Sequence, residues 1–378
     1  MPCSELERGF VLKKYKKLIW AFLSLLIAFL TIKAIDSQSK TLSFATLFKI
    51  LKGASLSWMT LAFLTMAGFI IFEGIAIQSI LKTIGSPRKF HQGMIYSTAD
   101  IYFSAITPSA SGGQPASAFF MMQDGISAGS TTAALIMNLV MYTVTLFLFG
   151  VLGLIAGFPL FCDMSLISKV LILIGFTILL FLTFFFLLLL RRGKKLFAWF
   201  LNLLVFLHKI HLVHRLDKRK RKLARMRRDY EECTRAMNGK WKGLLKLLMW
   251  NMLQRFSQIM VTFCVYMAVF GEKAIAVNLI PLQILVAVGA NSIPIPGAMG
   301  VSDYLMLNGF SQIMYKEEAF HLELISRGIS FYICVLISML LTLTAYICLQ
   351  IRKRNQINRK KNQENIQTNN QINTKNND

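Results

Sequence analysis

Apolar runs long enough to cross a lipid bilayer recur along this chain, and they restrict its fold more than any other feature. A helix needs about 20 such residues to span about 30 Å of hydrocarbon. The runs at 18–32, 56–81, 130–157, 166–190, 244–270 and 324–349 approach or exceed that length. In lipid, each backbone N–H and C=O must find its partner within the protein. Composition agrees, since 55% of the 378 residues are hydrophobic and only 16% are charged. The expected architecture is an all-α polytopic membrane protein with about six full crossings. The first run lacks a small-residue cleavage site, so it reads as an anchor rather than a removable signal.

Two stretches interrupt this pattern. Residues 102–115 read Tyr-Phe-Ser-Ala-Ile-Thr-Pro-Ser-Ala-Ser-Gly-Gly-Gln-Pro, and residues 291–303 read Asn-Ser-Ile-Pro-Ile-Pro-Gly-Ala-Met-Gly-Val-Ser-Asp. Proline removes a backbone donor and clashes with the preceding turn, whereas glycine admits close approach. Broken backbone at membrane depth persists only where it is buried in protein or lines a watery cavity. A pair of such segments in corresponding halves of a chain is a pointer to a carrier's binding site.

Charge placement supplies the topology. The formal charge is +24, gathered mainly at the N-terminus, in the 82–89 loop, in 191–243 and in the tail. By the positive-inside rule, residues 1–16 and the C-terminus are cytoplasmic. The connection 159–165 carries no Lys or Arg and should lie outside. Segment 92–125 must then enter and return on the cytoplasmic side, and segment 276–314 must do so from the opposite face. The result is two oppositely oriented re-entrant hairpins within a membrane domain at 17–352, an inverted repeat. The basic stretch 207–228 should rest on anionic inner-leaflet headgroups rather than on nucleic acid. His208, His211 and His214 read as a solvated helix face, and the six cysteines lack metal-ligand spacing. Residues 353–378 are polar and expected to be disordered.

Charges within the membrane are costly and point to function. Glu73, Asp100, Arg255, Asp303 and Arg327 fall within or beside the apolar segments. Asn251, Gln254, Arg255 and Gln258 share one helical face, as do Asn138 and Tyr142. The candidate substrate-binding set is Glu73, Asp100, Thr107, Ser111, Gly112, Gly113, Gln114, Asn251, Arg255, Gln258, Pro296, Gly297, Gly300, Asp303 and Arg327. A cavity with both signs of charge suits a phospholipid headgroup. Neither a hydrolytic triad nor a nucleotide loop stands out, so no cofactor or metal is expected.

The motifs at 107–115 and 294–303 together resemble the membrane region of the lysylphosphatidylglycerol synthase/flippase family, the N-terminal half of the multiple peptide resistance factor. The likeness covers about residues 10–352. It implies a multi-pass protein of the bacterial inner membrane that moves aminoacylated phosphatidylglycerol between leaflets, lowering surface negative charge and resistance-relevant attraction for cationic peptides. The family's second motif commonly ends in glutamate, where this chain has Asp303. The soluble aminoacyltransferase domain of the full-length enzymes has no room in these 378 residues, so the family's phosphatidylglycerol lysyltransferase activity is not expected of this chain alone. Two alternatives stay open: a component of lysylphosphatidylglycerol synthesis working with a separate soluble synthase, and a carrier of a polyprenyl phosphate or glycolipid. A homo-oligomer is compatible with either.

The topology has a direct test. Single cysteines at Ser165 and Lys220, in a background without native cysteines, should react with impermeant reagents from opposite faces. Labelling of both from one side overturns the assignment.

Overall fold

The computed structural model describes residues 44–107, 110–209, 241–291 and 295–375, with isolated positions between 217 and 239. The expected crossing at 18–32, the histidines at 211 and 214 and much of the basic stretch lie outside the described residues. Among those described, every regular element is helical. The chain is an all-α polytopic membrane protein.

In order, the helices are α1 (Phe44–Gly53), α2 (Leu56–Thr83), α3 (Phe90–Ile106), α4 (Gly113–Gln123), α5 (Ala128–Ala156), α6 (Phe158–Asp163), α7 (Leu166–Lys209), α8 (Trp241–Val269), α9 (Lys273–Asn291), α10 (Val301–Phe310), α11 (Lys316–Arg327) and α12 (Cys334–Lys375). A π-helical turn, Gly328–Ile333, joins α11 to α12. Helices α2, α5, α8 and α9, the first part of α7, and α11 with α12 are long and apolar enough to cross a membrane. Five of these coincide with apolar runs named above. The sixth, α9, has 19 residues, about 28 Å at 1.5 Å per residue. It is therefore the long arm of the second broken segment.

Two differences from expectation concern helix ends. Helix α7 continues past Arg191 and Arg192 to Lys209, because no Pro or helix-ending Gly turn stops it. Helix α12 likewise runs to Lys375 through the tail expected to be disordered. That tail holds no Gly or Pro after 352, so nothing in it ends a helix already nucleated by the membrane segment.

Both broken segments are helical hairpins with a long and a short arm. Helix α3 (17 residues) packs on α4 (11 residues), and α9 packs on α10 (10 residues). The tips share a frame that period counting had not revealed: Pro108-Ser-Ala-Ser-Gly112 and Pro296-Gly-Ala-Met-Gly300. In each, the alanine takes a positive φ, 51° at Ala110 and 50° at Ala298, and the short arm begins directly after the last glycine. Positive φ is uncommon outside glycine, so its recurrence at matching positions marks a structural repeat.

The hairpin bases lie at opposite ends of α5. Near its start, Tyr96 donates to Asp124 Oδ2 at 2.6 Å and Arg88 donates to the Asp124 carbonyl at 3.2 Å, closing the first hairpin. Beyond its end, Ser165 N–H and Ser168 Oγ donate to Asn308 Oδ1, and Gln312 donates to the Asp163 carbonyl. The first hairpin thus opens toward one end of α5 and the second toward the other.

Helices α2 and α3 cross at glycine. A Cβ on Gly93 would lie 2.8 Å from the Gly74 carbonyl oxygen and 2.6 Å from Gln78 Cγ. Overpacking a tight crossing costs about 1–3 kcal/mol. Gly93→Ala should therefore lower the melting temperature in detergent, whereas Gly53→Ala, with open space around it, should not. An unchanged Gly93→Ala melt overturns the close crossing.

Candidate functional site

The polar stripes on α5 and α8 meet. Asn251 Nδ2 donates to Asn138 Oδ1 at 3.3 Å, and the Arg255 guanidinium lies over the Tyr142 ring, 4.2 Å from its centroid. Helical spacing of i and i+4 on both helices is why the two pairs register. Gln258, one turn beyond Arg255, accepts from its Nη1. Tyr142 in turn donates to Asn291 Oδ1 at 3.0 Å, at the end of α9 where the second broken segment begins. Arg255 is therefore linked through Tyr142 to the second hairpin.

Arg255 is only 9% exposed, yet its Nε has no hydrogen-bond partner. Among the described residues it forms no ion pair; the two there are Arg227 with Glu231 and Arg327 with Asp303. A guanidinium carries five donors. Cation–π contact with one ring and one amide acceptor leave most of that capacity open. The vacant donors suit an anion with oxygens spaced for two-pronged contact, such as phosphate or carboxylate.

Glu73 and Asp100 come together beside the first hairpin. Ser97 Oγ lies 3.5 Å from Glu73 Oε2, and Asp100 follows Ser97 by one turn of α3. Ser104 donates to Asp100 Oδ1 at 3.2 Å. Glu73 is buried at 7%, whereas Asp100 is half-buried. The start of α4 presses on this pair: a Cβ on Gly113 would sit 1.9 Å from Asp100 Oδ1. Only glycine fits there. Arg255 is close enough for its charge to act on Glu73.

The remaining charges brace the second hairpin. Arg327 Nε and Asp303 Oδ1 are 2.7 Å apart, a close charge contact without hydrogen-bond alignment. The other Asp303 oxygen accepts from the Gly300 N–H at 2.8 Å, capping α10. Arg327 Nη1 donates to Ser302 Oγ at 3.3 Å, and its guanidinium lies 5.0 Å from the Phe331 ring centroid. Phe331 covers the tip, since a Cβ on Gly297 would meet its ring at 2.3 Å. Sequence reasoning missed Phe331 and Glu323. Glu323 is 7% exposed, one turn before Arg327 on α11. Its i, i+4 spacing to Arg327 was the signal available.

Other expected site residues have local roles. Thr107 Oγ1 donates to the Phe103 carbonyl and accepts from Gly112 N–H, stitching the first tip. Ser111 is exposed, and Gln114 and Gly112 are half-buried at the start of α4. Pro296 opens the single 3-10 turn of the second tip. No group of three metal-type ligands occurs among the described residues.

The family model described as "Lysylphosphatidylglycerol synthase TM region" matches residues 16–338, most of the chain. No curated protein matches it.

The brace has a measurable consequence. Removing one member of a buried ion pair costs about 3 kcal/mol, so Asp303→Asn should lower the melting temperature clearly. Adding Arg327→Gln should restore part of the loss. A single variant as stable as wild type removes the pair as a brace.

Proposed function

Starting from the lysylphosphatidylglycerol synthase TM region family, to which this chain belongs, we propose that the protein is a lipid translocase that holds a phospholipid phosphate at Arg255, between two opposed hairpins. The carrying observation is a buried guanidinium with an unpartnered Nε and, among the described residues, no ion pair. An isolated charge at this depth is expensive, and a bound anion relieves that cost. Lysine would offer a point charge in place of the planar fork.

The family supports a membrane protein related to lysylphosphatidylglycerol synthesis or flipping. On the reading adopted here, aminoacylated phosphatidylglycerol is the substrate, and its movement in a bacterial inner membrane lowers surface negative charge. Asn251 and Gln258 orient the arginine, Tyr142 shields one guanidinium face, and the Glu73–Asp100 pair supplies countercharge to the ammonium of the headgroup. Helix–break–helix hairpins at the first and second tips are the elements that alternating access would move.

Transport in proteoliposomes, followed as loss of fluorescent aminoacyl-phosphatidylglycerol from the outer leaflet, provides the test. Arg255→Gln should remain folded and abundant, since no ion pair is broken, while transport falls at least tenfold. Arg255→Lys should recover only part of the rate. Wild-type transport by a stable Arg255→Gln protein removes Arg255 from the site.

A further inference from the structure

Helix α8 carries two buried polar atoms of opposite character that lack partners. Arg255 Nε is a donor, Asn251 Oδ1 is an acceptor, and neither has a hydrogen bond. Arg255 is 9% exposed and Asn251 is 1% exposed. The Asn251 amide is not free to turn and resolve this. Its Nδ2 donates to Asn138 Oδ1 at 3.3 Å and to the Leu247 carbonyl at 3.0 Å. A carbonyl only accepts, so the contact with Leu247 fixes the amide nitrogen on that side and the oxygen on the other. Arg255 is held as well, by the Tyr142 ring and by Gln258. Two anchored groups, one turn apart on one helical face, are thus left with demands that they do not meet for each other.

A buried polar atom without a partner is costly, and these two call for opposite chemistry. An anion alone satisfies the guanidinium and leaves Asn251 Oδ1 as it was. Only a ligand that offers an acceptor and, close to it, a hydrogen-bond donor satisfies both. Residues at i and i+4 have Cβ atoms about 5–6 Å apart, a span that a phosphate and a hydroxyl on the second carbon of its ester bridge. We propose that Asn251 is a specificity-determining residue that accepts a hydrogen bond from a headgroup hydroxyl while Arg255 holds the phosphate. The site then selects hydroxyl-bearing phosphate esters over those without a donor. The inference rests on the phosphate reading of Arg255 and goes beyond it by naming a second feature of the ligand.

A glycerol headgroup has this pattern, since its middle hydroxyl stands on the second carbon from the ester oxygen. A neutral hydroxyl suits the position better than an ammonium, because the guanidinium one turn away repels a second cation. A headgroup without the hydroxyl leaves the buried acceptor unpaired, and sites built on such contacts discriminate steeply.

Binding to full-length protein in maltoside micelles tests this, with two short-chain lipids of equal charge. One is dihexanoyl-phosphatidylglycerol, and the other is dihexanoyl-phosphatidylpropanol, whose headgroup keeps the carbon chain and lacks the hydroxyls. Wild-type protein should bind the glycerol lipid at least about tenfold tighter, and Asn251→Leu should bring the two affinities to within about twofold. Equal affinities in wild type overturn the inference and leave Arg255 as the anion site. A preference that persists in folded Asn251→Leu protein overturns the assignment to Asn251. Where that variant does not fold, the wild-type comparison decides. Affinities for both lipids that Arg255→Gln leaves unchanged overturn the phosphate reading and the inference with it. Glycerol 3-phosphate as competitor separates the sources of the ligand. Once the preference is seen, displacement makes a free phosphate ester an occupant, failure to displace makes the lipid the ligand, and either supports the paired contact.

Discussion

The close crossing of α2 and α3 is the contact on which the candidate site depends. At Gly74 and Gly93 each helix meets the other's backbone or a side chain close to it, so the two axes approach more nearly than side-chain packing permits. One residue away sits Glu73, and two turns along α3 sits Asp100. Larger residues at the crossing would move Glu73 away from α3 and from Ser97. Gly113 repeats the device from α4, where the absence of a Cβ lets the short arm rest against Asp100. Three glycines on three helices therefore set the geometry of one acid pair. Burial then makes its charge state consequential, because little water remains to screen it.

The two hairpins share their frame but use charge differently. Each tip carries Pro-x-Ala-x-Gly, each has an alanine at positive φ, and each short arm starts at the same point. In the second hairpin Asp303 caps its own short arm and lies against Arg327, with a second acid, Glu323, buried on the same helix as Arg327. Beside the first, Arg255 forms no ion pair among the described residues and its Nε has no hydrogen-bond partner.

Much of this was legible in the sequence. Apolar length alone located α2, α5, α7 and α8, because hydrophobic thickness sets helix length. Polar spacing put Asn138 and Tyr142 on one face of their helix and Asn251 and Arg255 on one face of theirs, but not their meeting, which depends on how α5 and α8 pack. The partner of Arg327 was not legible: Asp303 is distant in sequence, and the capping role that fixes it follows from the turn at Gly300. The continuation of α12 through a polar tail was also missed, because polarity was taken as disorder although helix ends are set by Gly and Pro. Glu323 escaped notice because its neighbours Glu317 and Glu318 made the segment look like an exposed loop, while it is buried at 7%.

The length of residue 303 connects these points. Asp303 reaches the Gly300 N–H three residues back and Arg327 across the hairpin at the same time. At the third helical position a short acid suits the cap, since its carboxylate lies close to the backbone. In this chain the short acid draws Arg327 toward the tip, where its guanidinium lies over Phe331 and Phe331 covers Gly297. Asp303 thus ties the cap, the ion pair and the covered second tip into one contact chain.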